Sequence, residues 1–220
     1  MGKPHKTVKA ILWDNDGILV DTEHLYFEAT RRIMESVGIP LSREQYIELF
    51  LKEARGAWHL AEERGMPPDE IVRLRDERNA LYGRLLGGGP RLMPGITAVL
   101  DALHGRYIMG IVTSSRRDHF ELIHQSSGLL RYFDFFLTSG DYARTKPDPE
   151  PYLKAIGKAG VAGEDCIAIE DSERGLEAAR RAGIRCIVVP SALTRGRQFT
   201  GACRILESVS EIPGILRNGL

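Results

Sequence analysis

The chain carries no surplus of charge: thirty lysines and arginines balance thirty aspartates and glutamates over 220 residues. Such a balance gives no long-range field to draw in nucleic acid or an anionic membrane, and neither is expected as a partner. No apolar run approaches the roughly 20 residues of a membrane span. Met1–Lys6 leads into the first strand without an apolar leader, and Lys6 stands where a myristoylated terminus carries Ser or Thr. Cysteine is scarce and odd in number: Cys166, Cys186 and Cys203 are widely spaced and contain no Cys-x-x-Cys pair. Two of them fall in apolar, strand-like runs, so buried free thiols in a reducing cytosol are expected, and with them a cytoplasmic location. Internal repeats and low-complexity tracts are absent. What is present, 43% hydrophobic and 27% charged residues, is the profile of a globular protein with one large domain or a core carrying an insertion.

After residue 105 strand and helix signals alternate. Tyr107–Val112, Phe135–Thr138, Cys166–Ile169 and Ile184–Val189 read as strands, and Arg204–Leu206 as an edge strand. Helices are expected from about Arg116 to Ser127, from Pro149 to Ala159 with proline in the first turn, and from Ser172 to Ala182 with Gly183 as its stop. A last short helix, Val209–Leu216, is interrupted by Pro213. With a first strand at Val8–Trp13, this alternation calls for an α/β fold, a parallel sheet covered by helices on both faces.

Residues 22–88 break the pattern with helix signals alone. Thr22 is placed to cap a helix running to Val37, and Ser42-x-x-Gln45 has the spacing of a capping box. Ala54–Arg64 and Pro68–Leu86 continue as helices until Gly87-Gly88-Gly89-Pro90 punctuates the chain and Pro94-Gly95 opens the next helix. The economical division is a core of residues 1–21 and 89–220 and an all-helical cap of residues 22–88. The insertion begins just beyond the first strand, so it would hang over that strand's carboxyl end as a lid.

That strand end holds the most informative residues. Asp14 and Asp16 close the apolar run Ala10–Trp13 and are followed at once by Gly17. In an open α/β sheet ligands bind outside the carboxyl ends of the strands. Two close carboxylates repel and call for a cation or a shared proton, although aspartate and glycine also mark ordinary turns. Three later strand ends add polar groups. Thr113-Ser114-Ser115 precedes a helix, where hydroxyls and free amides bind anions or simply cap. Lys146, in Thr145-Lys146-Pro147-Asp148-Pro149, is placed to neutralise a phosphate unless it is an ordinary solvated lysine. Glu170-Asp171-Ser172 offers two carboxylates at a helix start, either caps or, with Asp14 and Asp16, hard oxygen ligands for Mg²⁺.

Taken in order, Asp14-Asn15-Asp16-Gly17, Thr113-Ser114, Lys146 and Glu170-Asp171-Ser172 resemble the motifs of the haloacid dehalogenase superfamily over nearly the whole chain. Asp16-Gly17-Ile18-Leu19-Val20-Asp21-Thr22-Glu23 is similar to that family's extended first motif. The resemblance implies a Rossmann-like core, an α-helical cap inserted after the first strand, and the phosphatase and β-phosphoglucomutase branch. It implies that Asp14 attacks phosphorus and that Asp16 protonates the leaving oxygen and then activates water. Mg²⁺ would be held by Asp14, the Asp16 carbonyl and Asp171, with Glu170 direct or through water. Thr113, Ser114 and Lys146 would neutralise the phosphoryl oxygens.

True dehalogenases of the superfamily lack the second aspartate, so Asp16 speaks against carbon–halogen cleavage. The expected activity is an Mg²⁺-dependent phosphatase acting, as a monomer, on a small phosphorylated metabolite such as a sugar phosphate. A hexose-phosphate mutase is the alternative. That branch carries a histidine four residues after the hinge threonine, where this chain has Tyr26; His24 is out of register. A non-catalytic binding module is a third reading, one that four repelling carboxylates disfavour. In the cap, Lys52 and Arg55 are expected to be solvated, and Trp58 to be cap core, with His59 beside it.

Overall fold

Short apolar runs rich in β-branched residues become the buried central strands, and short exposed pairs the edges. In chain order these are β1 (Ala10–Trp13), β2 (Val20–Asp21), β3 (Arg91–Leu92), β4 (Ile108–Arg116), β5 (Phe135–Ser139), β6 (Cys166–Glu170), β7 (Arg185–Val188) and β8 (Arg204–Ile205). The computed structural model describes residues 7–89 and 91–218; Met1–Lys6 and Pro90, on which the lead-in and part of the glycine-rich boundary were expected, lie outside the described residues. Six strands form one sheet in the order β5-β4-β1-β6-β7-β8, every pair parallel. The chain first builds outward on one side of β1 and then crosses to the other, so β1 stands at the reversal, where a crevice opens at the strands' carboxyl ends.

Alternation along β1 divides the core. Ala10 and Leu12 pack with Tyr152 on one face, Ile11 and Trp13 with Phe120 on the other. In β6, Cys166 and Ala168 follow the first face, Ile167 and Ile169 the second. Each buried Ile or Leu contributes about 1.5–3 kcal/mol, which is what holds the register. Trp13 lies opposite Ile111 of β4 and Ile169 of β6, so Asp14, Val112 and Glu170 occupy one level of the sheet.

The helices are α1 (Glu23–Ser36), α2 (Arg43–Tyr46), α3 (His59–Glu62), α4 (Pro68–Leu86), α5 (Ile96–Leu103), α6 (Arg117–His124), α7 (Glu150–Ala159), α8 (Glu173–Arg181) and α9 (Ile212–Asn218). The first four, with a π-helical turn at Ile47–Lys52, form the inserted cap, which has its own apolar core around Met34, Tyr46, Trp58 and Leu74. The Ser42 capping box closes in both directions, Gln45 N donating to Ser42 Oγ (3.1 Å) and Ser42 N to Gln45 Oε1 (2.9 Å).

Several local expectations are corrected. Thr22 occupies the N-cap position of α1 but makes no side-chain cap, because its hydroxyl turns back to Asp16. The helix expected at Ala54–Arg64 shrinks to α3: Ala54 and Gly56 have φ of +54° and +72°, and the Leu49 carbonyl accepts from both Arg55 N and Gly56 N. Strand β4 runs on to Arg116, so Thr113, Ser114 and Ser115 belong to an irregular strand end and not to a helix cap. Pro213 sits in the first turn of α9 and interrupts nothing; a 3₁₀ turn at Val209–Glu211 precedes it. The two-residue ribbon β2–β3, which joins the insertion to the core, has too few residues to leave a periodic signal.

Candidate active site

Asp14 is the first residue past β1, and its amide still bonds to the Ile169 carbonyl (2.9 Å). Its carboxylate meets Lys146, which enters from the segment between β5 and α7. Lys146 is 2% exposed and spends its three donors on Asp14 Oδ1 (2.8 Å), the Val112 carbonyl (2.7 Å) and Glu170 Oε1 (2.6 Å). It is therefore not a solvated lysine, and among the described residues its donors go to the strand ends. Glu170 continues the Cys166–Ala168 face and so reaches Tyr152 of α7, whose hydroxyl donates to the same Oε1 (2.5 Å).

Asp14, Glu170 and Asp171 bring carboxylate oxygens within 4.8 Å of one another, all three residues buried. One lysine cannot balance three buried carboxylates. Burial, with the Glu170 charge, pushes the Asp14 carboxyl up to about 7 against the pull of Lys146. Asp171 is raised well above the usual range by burial and by Asp14. Lys146 pays for its burial, but Asp14 and Glu170 more than offset that, and its pKa is raised. Asp171 Oδ2 and Glu170 Oε2 are buried without a hydrogen-bond partner. Two glycines make room for this cluster. A Cβ on Gly17 (φ +82°) would stand 2.3 Å from Asp171 Oδ2, and one on Gly175 1.9 Å from Glu170 Oε2. Orphaned carboxylate oxygens at close spacing are the donor set of a hard divalent cation. Neither acid caps α8; Ser172 does, accepting from Gly175 N (3.3 Å).

Asp16 lies outside that trio. The chain turns after Asp14, and the Asp16 carboxylate points to a collar of donors. Thr22 gives its hydroxyl to Oδ1 (2.5 Å), while Ser115 (2.7 Å), Thr113 (3.2 Å) and Asn15 Nδ2 (3.3 Å) reach Oδ2. Thr113 is thus turned toward Asp16, and the Ser114 hydroxyl accepts from Thr145 (2.9 Å).

Above the two aspartates opens a cavity of about 290 Å³, floored by Asp14, Asp16 and Asp171 and walled by Glu23, Tyr46 and Arg78. Tyr46 donates to Glu23, whose carboxyl is raised by burial and partly relieved by Arg174 of α8. Arg78 stacks over Tyr26 at 4.5 Å, and its Nη1 is buried without a partner. Tyr26 itself sits edge-on to Tyr82 at 5.0 Å, one ring among the cap's aromatics. His24 is exposed beside Asp21 (3.1 Å), Lys52 is exposed beside Glu48, and Arg55 is exposed. Trp58 is buried in the cap core, and His59 is half-buried. Sequence reasoning does not reach Ser115 as an Asp16 partner, Tyr152 as a Glu170 partner, or Glu23, Tyr46, Arg78 and Arg174 as wall residues. Only Glu23, beside the hinge threonine, carries a positional signal.

With this geometry in place, the matches to known proteins are informative. Residues 11–189 match the haloacid dehalogenase-like hydrolase family. The chain is 31% identical to Protein CbbY of Cereibacter sphaeroides over 94% of its own length and 95% of that protein. It is 30% identical to the phosphorylated carbohydrates phosphatase of Thermotoga maritima, covering 97% of this chain and all 100% of the relative. Crystalline CbbY from Rhodobacter sphaeroides, solved in complex with phosphate, superposes with a TM-score of 0.79 at 29% identity, covering 94% of this chain and 96% of the other. The chain belongs to the haloacid dehalogenase-like hydrolases, in their phosphatase and β-phosphoglucomutase branch. Among the described residues no helix is long and apolar enough to cross a membrane.

Proposed function

We propose that this chain is an Mg²⁺-dependent phosphatase that hydrolyses a small phosphomonoester, of the sugar-phosphate kind, through an aspartyl-phosphate. The observation that carries the proposal is the buried trio Asp14, Glu170 and Asp171, with Lys146 bridging the first two and with Asp14 and Asp171 lining the cavity. The names of the relatives, phosphatases of phosphorylated carbohydrates among them, support the same reading. Buried thiols at Cys166 and Cys186 support a reducing, cytoplasmic setting.

Asp14, Asp171 and the Asp16 carbonyl would hold the ion, with Glu170 beside them. When bound, Mg²⁺ supplies the positive charge that lets an anionic nucleophile approach an anionic phosphoryl group. The remaining work falls to the chain's own residues. Lys146 orients the Asp14 carboxylate and keeps it from repelling Glu170. An Asp14 oxygen forms a bond to phosphorus while the bond to the leaving oxygen breaks, and Asp16 gives that oxygen its proton. Asp16, now a carboxylate, takes a proton from water as the water oxygen attacks phosphorus, releasing inorganic phosphate and Asp14. Thr113 and the Ser114 amide stand at the strand end where phosphoryl oxygens would lie, and the cap excludes bulk water. Tyr26, packed among aromatic rings, is a poor gate for a proton carrier, which favours discharge to water over transfer to a sugar.

The test is phosphate release from a panel of sugar phosphates in Mg²⁺ and in EDTA. Release that EDTA abolishes and Mg²⁺ restores is expected. β-Glucose 1-phosphate, with a trace of the 1,6-bisphosphate, should give free phosphate. Conversion to glucose 6-phosphate with little phosphate would overturn the reading in favour of a mutase.

A further inference from the structure

Between the two aspartates stands Asn15, a fully buried carboxamide. Its Oδ1 lies 2.8 Å from Nε2 of His124, the last residue of α6, which is itself 6% exposed and tilted against Phe120 at 4.5 Å. His124 Nδ1 lies 2.9 Å from Ser127 Oγ, and Ser127 Oγ accepts from Leu129 N (3.1 Å). At the other end Asn15 Nδ2 meets Asp16 Oδ2 at 3.3 Å.

Chemistry fixes the direction of every link. In the ionised form in which it takes a proton from water, the Asp16 carboxylate accepts only, so the amide nitrogen of Asn15 faces it and the amide oxygen faces His124. Nε2 of His124 then carries the proton, and Nδ1 accepts from the Ser127 hydroxyl. Burial holds His124 down at about 4, so the ring is neutral and has one donor and one acceptor to place. Leu129, Ser127, His124 and Asn15 therefore form a chain in which each donor points toward Asp16. Such chains polarise one another.

We propose that Asn15 and His124 are positioning residues that fix the plane of the Asp16 carboxylate from inside the core, independently of the cap and of the substrate. The other donors to Asp16 are less constant by construction. Thr22 belongs to the start of the first cap helix and not to the core, and the hydroxyls of Thr113 and Ser115 line the cavity, where an incoming phosphoryl group would compete for them. Asn15 is the donor that remains when those are drawn away. A purely structural role would be served better by two apolar side chains, since burying an amide against an imidazole costs desolvation that packing alone does not return.

The inference rests on Asp16 being the proton carrier, and the experiment separates the two claims. kcat/KM is measured in Mg²⁺ for a sugar phosphate, which needs leaving-group protonation, and for p-nitrophenyl phosphate, which does not. His124→Phe should lower the sugar-phosphate value about tenfold, within the range of acid–base effects, and leave the nitrophenyl value within about twofold. His124→Gln, which returns a donor at the Nε2 position, should recover most of the loss. Asn15→Ser should mimic His124→Phe, with melting temperatures recorded for all three. In an Asp16→Ala background, itself selective against the sugar phosphate, His124→Phe should add nothing. Equal losses for both substrates, an unchanged loss in the Asp16→Ala background, or no rescue by glutamine would overturn the positioning role. An Asp16→Ala variant with unaltered substrate preference would overturn the acid role of Asp16, and this inference with it.

Discussion

The core and the cap meet over the cavity above Asp14 and Asp16 and are built by opposite means. On the core side, charged groups are carried by strand ends whose register is set by apolar ladders, so Asp14, Val112 and Glu170 share a level and Lys146 is pinned among them. On the cap side, the wall comes from short helices and a π-helical turn, and its contacts are rings and stacked guanidinium groups: Tyr46 on Phe50 at 4.6 Å, Arg78 over Tyr26. The core fixes atoms that any phosphomonoester presents. On the proposed reading the cap would shape the space that a particular substrate fills, and it leaves a cationic donor, Arg78 Nη1, without a hydrogen-bond partner. The proposed function would thus divide chemistry and selection between a sheet-based scaffold and a helical one.

The sharpest way to break this division is at the nucleophile. Asp14→Asn keeps the size and removes the attacking charge, so turnover should fall at least about a thousandfold for every substrate, the scale seen on loss of covalent nucleophiles. A loss confined to some substrates, measured across a sugar-phosphate panel, would mean that the core also selects.

Lys146→Met tests whether the core site is also a stability element. It leaves Asp14 and Glu170 buried without their common cation, which costs about 3–5 kcal/mol when a buried pair is broken from one side. Urea titration should show that loss in metal-free protein, together with loss of turnover. No exposed cap lysine, Lys52 for example, should approach it.

In the proposed function metal and proton would compete for the same carboxylates, and the sign follows from Asp14. Its folded pKa, about 7, lies above the usual carboxylate value, so in metal-free protein its contribution favours folding at low pH. That contribution fades as pH rises from near 4 through 7. An ion that displaces the proton reverses the trend. Stabilisation by Mg²⁺ should therefore grow as pH rises through about 7, toward about 2.7 kcal/mol at a hundred times its dissociation constant. Melting curves with and without Mg²⁺ at pH 5 and pH 8 read this as a difference in which groups away from the ion cancel, while Asp171, also raised, adds in the same direction. A Mg²⁺ effect equal at both would exclude Asp14 as a ligand.

The same division decides what the sequence discloses. Strand-end acids, the Ser42 capping box and the α/β alternation are local patterns, and each is visible as spacing between neighbours in the chain. Tyr152 reaching Glu170, or Ser115 reaching Asp16 across 99 residues, depends on which strands become neighbours, and no local pattern encodes that. Lys146 shows the limit from the other side. Its residue type says solvent, and only the two carboxylates that converge on it explain its burial. Thr22 reads as a helix cap because its position is that of one, but a nearby carboxylate is the stronger acceptor and takes the hydroxyl. In the cap, the positive φ at Ala54 keeps helix from the start of a stretch whose composition favours it, a tertiary override of propensity.

The smallest effect is expected where the two regions are tied together. Arg197, on the loop after β7, bonds Glu173 of α8 (2.8 Å) and Glu48 of the cap (2.9 Å), while Arg43 of α2 donates to the Ala192 carbonyl (2.6 Å) and Leu193 packs against the cap's apolar core. The Arg197 side chain is 31% exposed, so its ion pairs are screened, and Arg197→Ala should cost no more than about 1 kcal/mol in global stability. Its position should matter more than its energy. Thr194, three residues earlier on the same loop, donates to the backbone carbonyl of Asp171 (2.7 Å), so the loop touches both the cap and the main chain of one residue of the buried trio. Loosening it should raise KM a few-fold for a sugar phosphate, which needs the cap, with little change for p-nitrophenyl phosphate, which asks less of it. If both substrates lose kcat equally while stability is unchanged, the loop acts on the core site, and the separation of cap from chemistry is weaker than the contacts suggest.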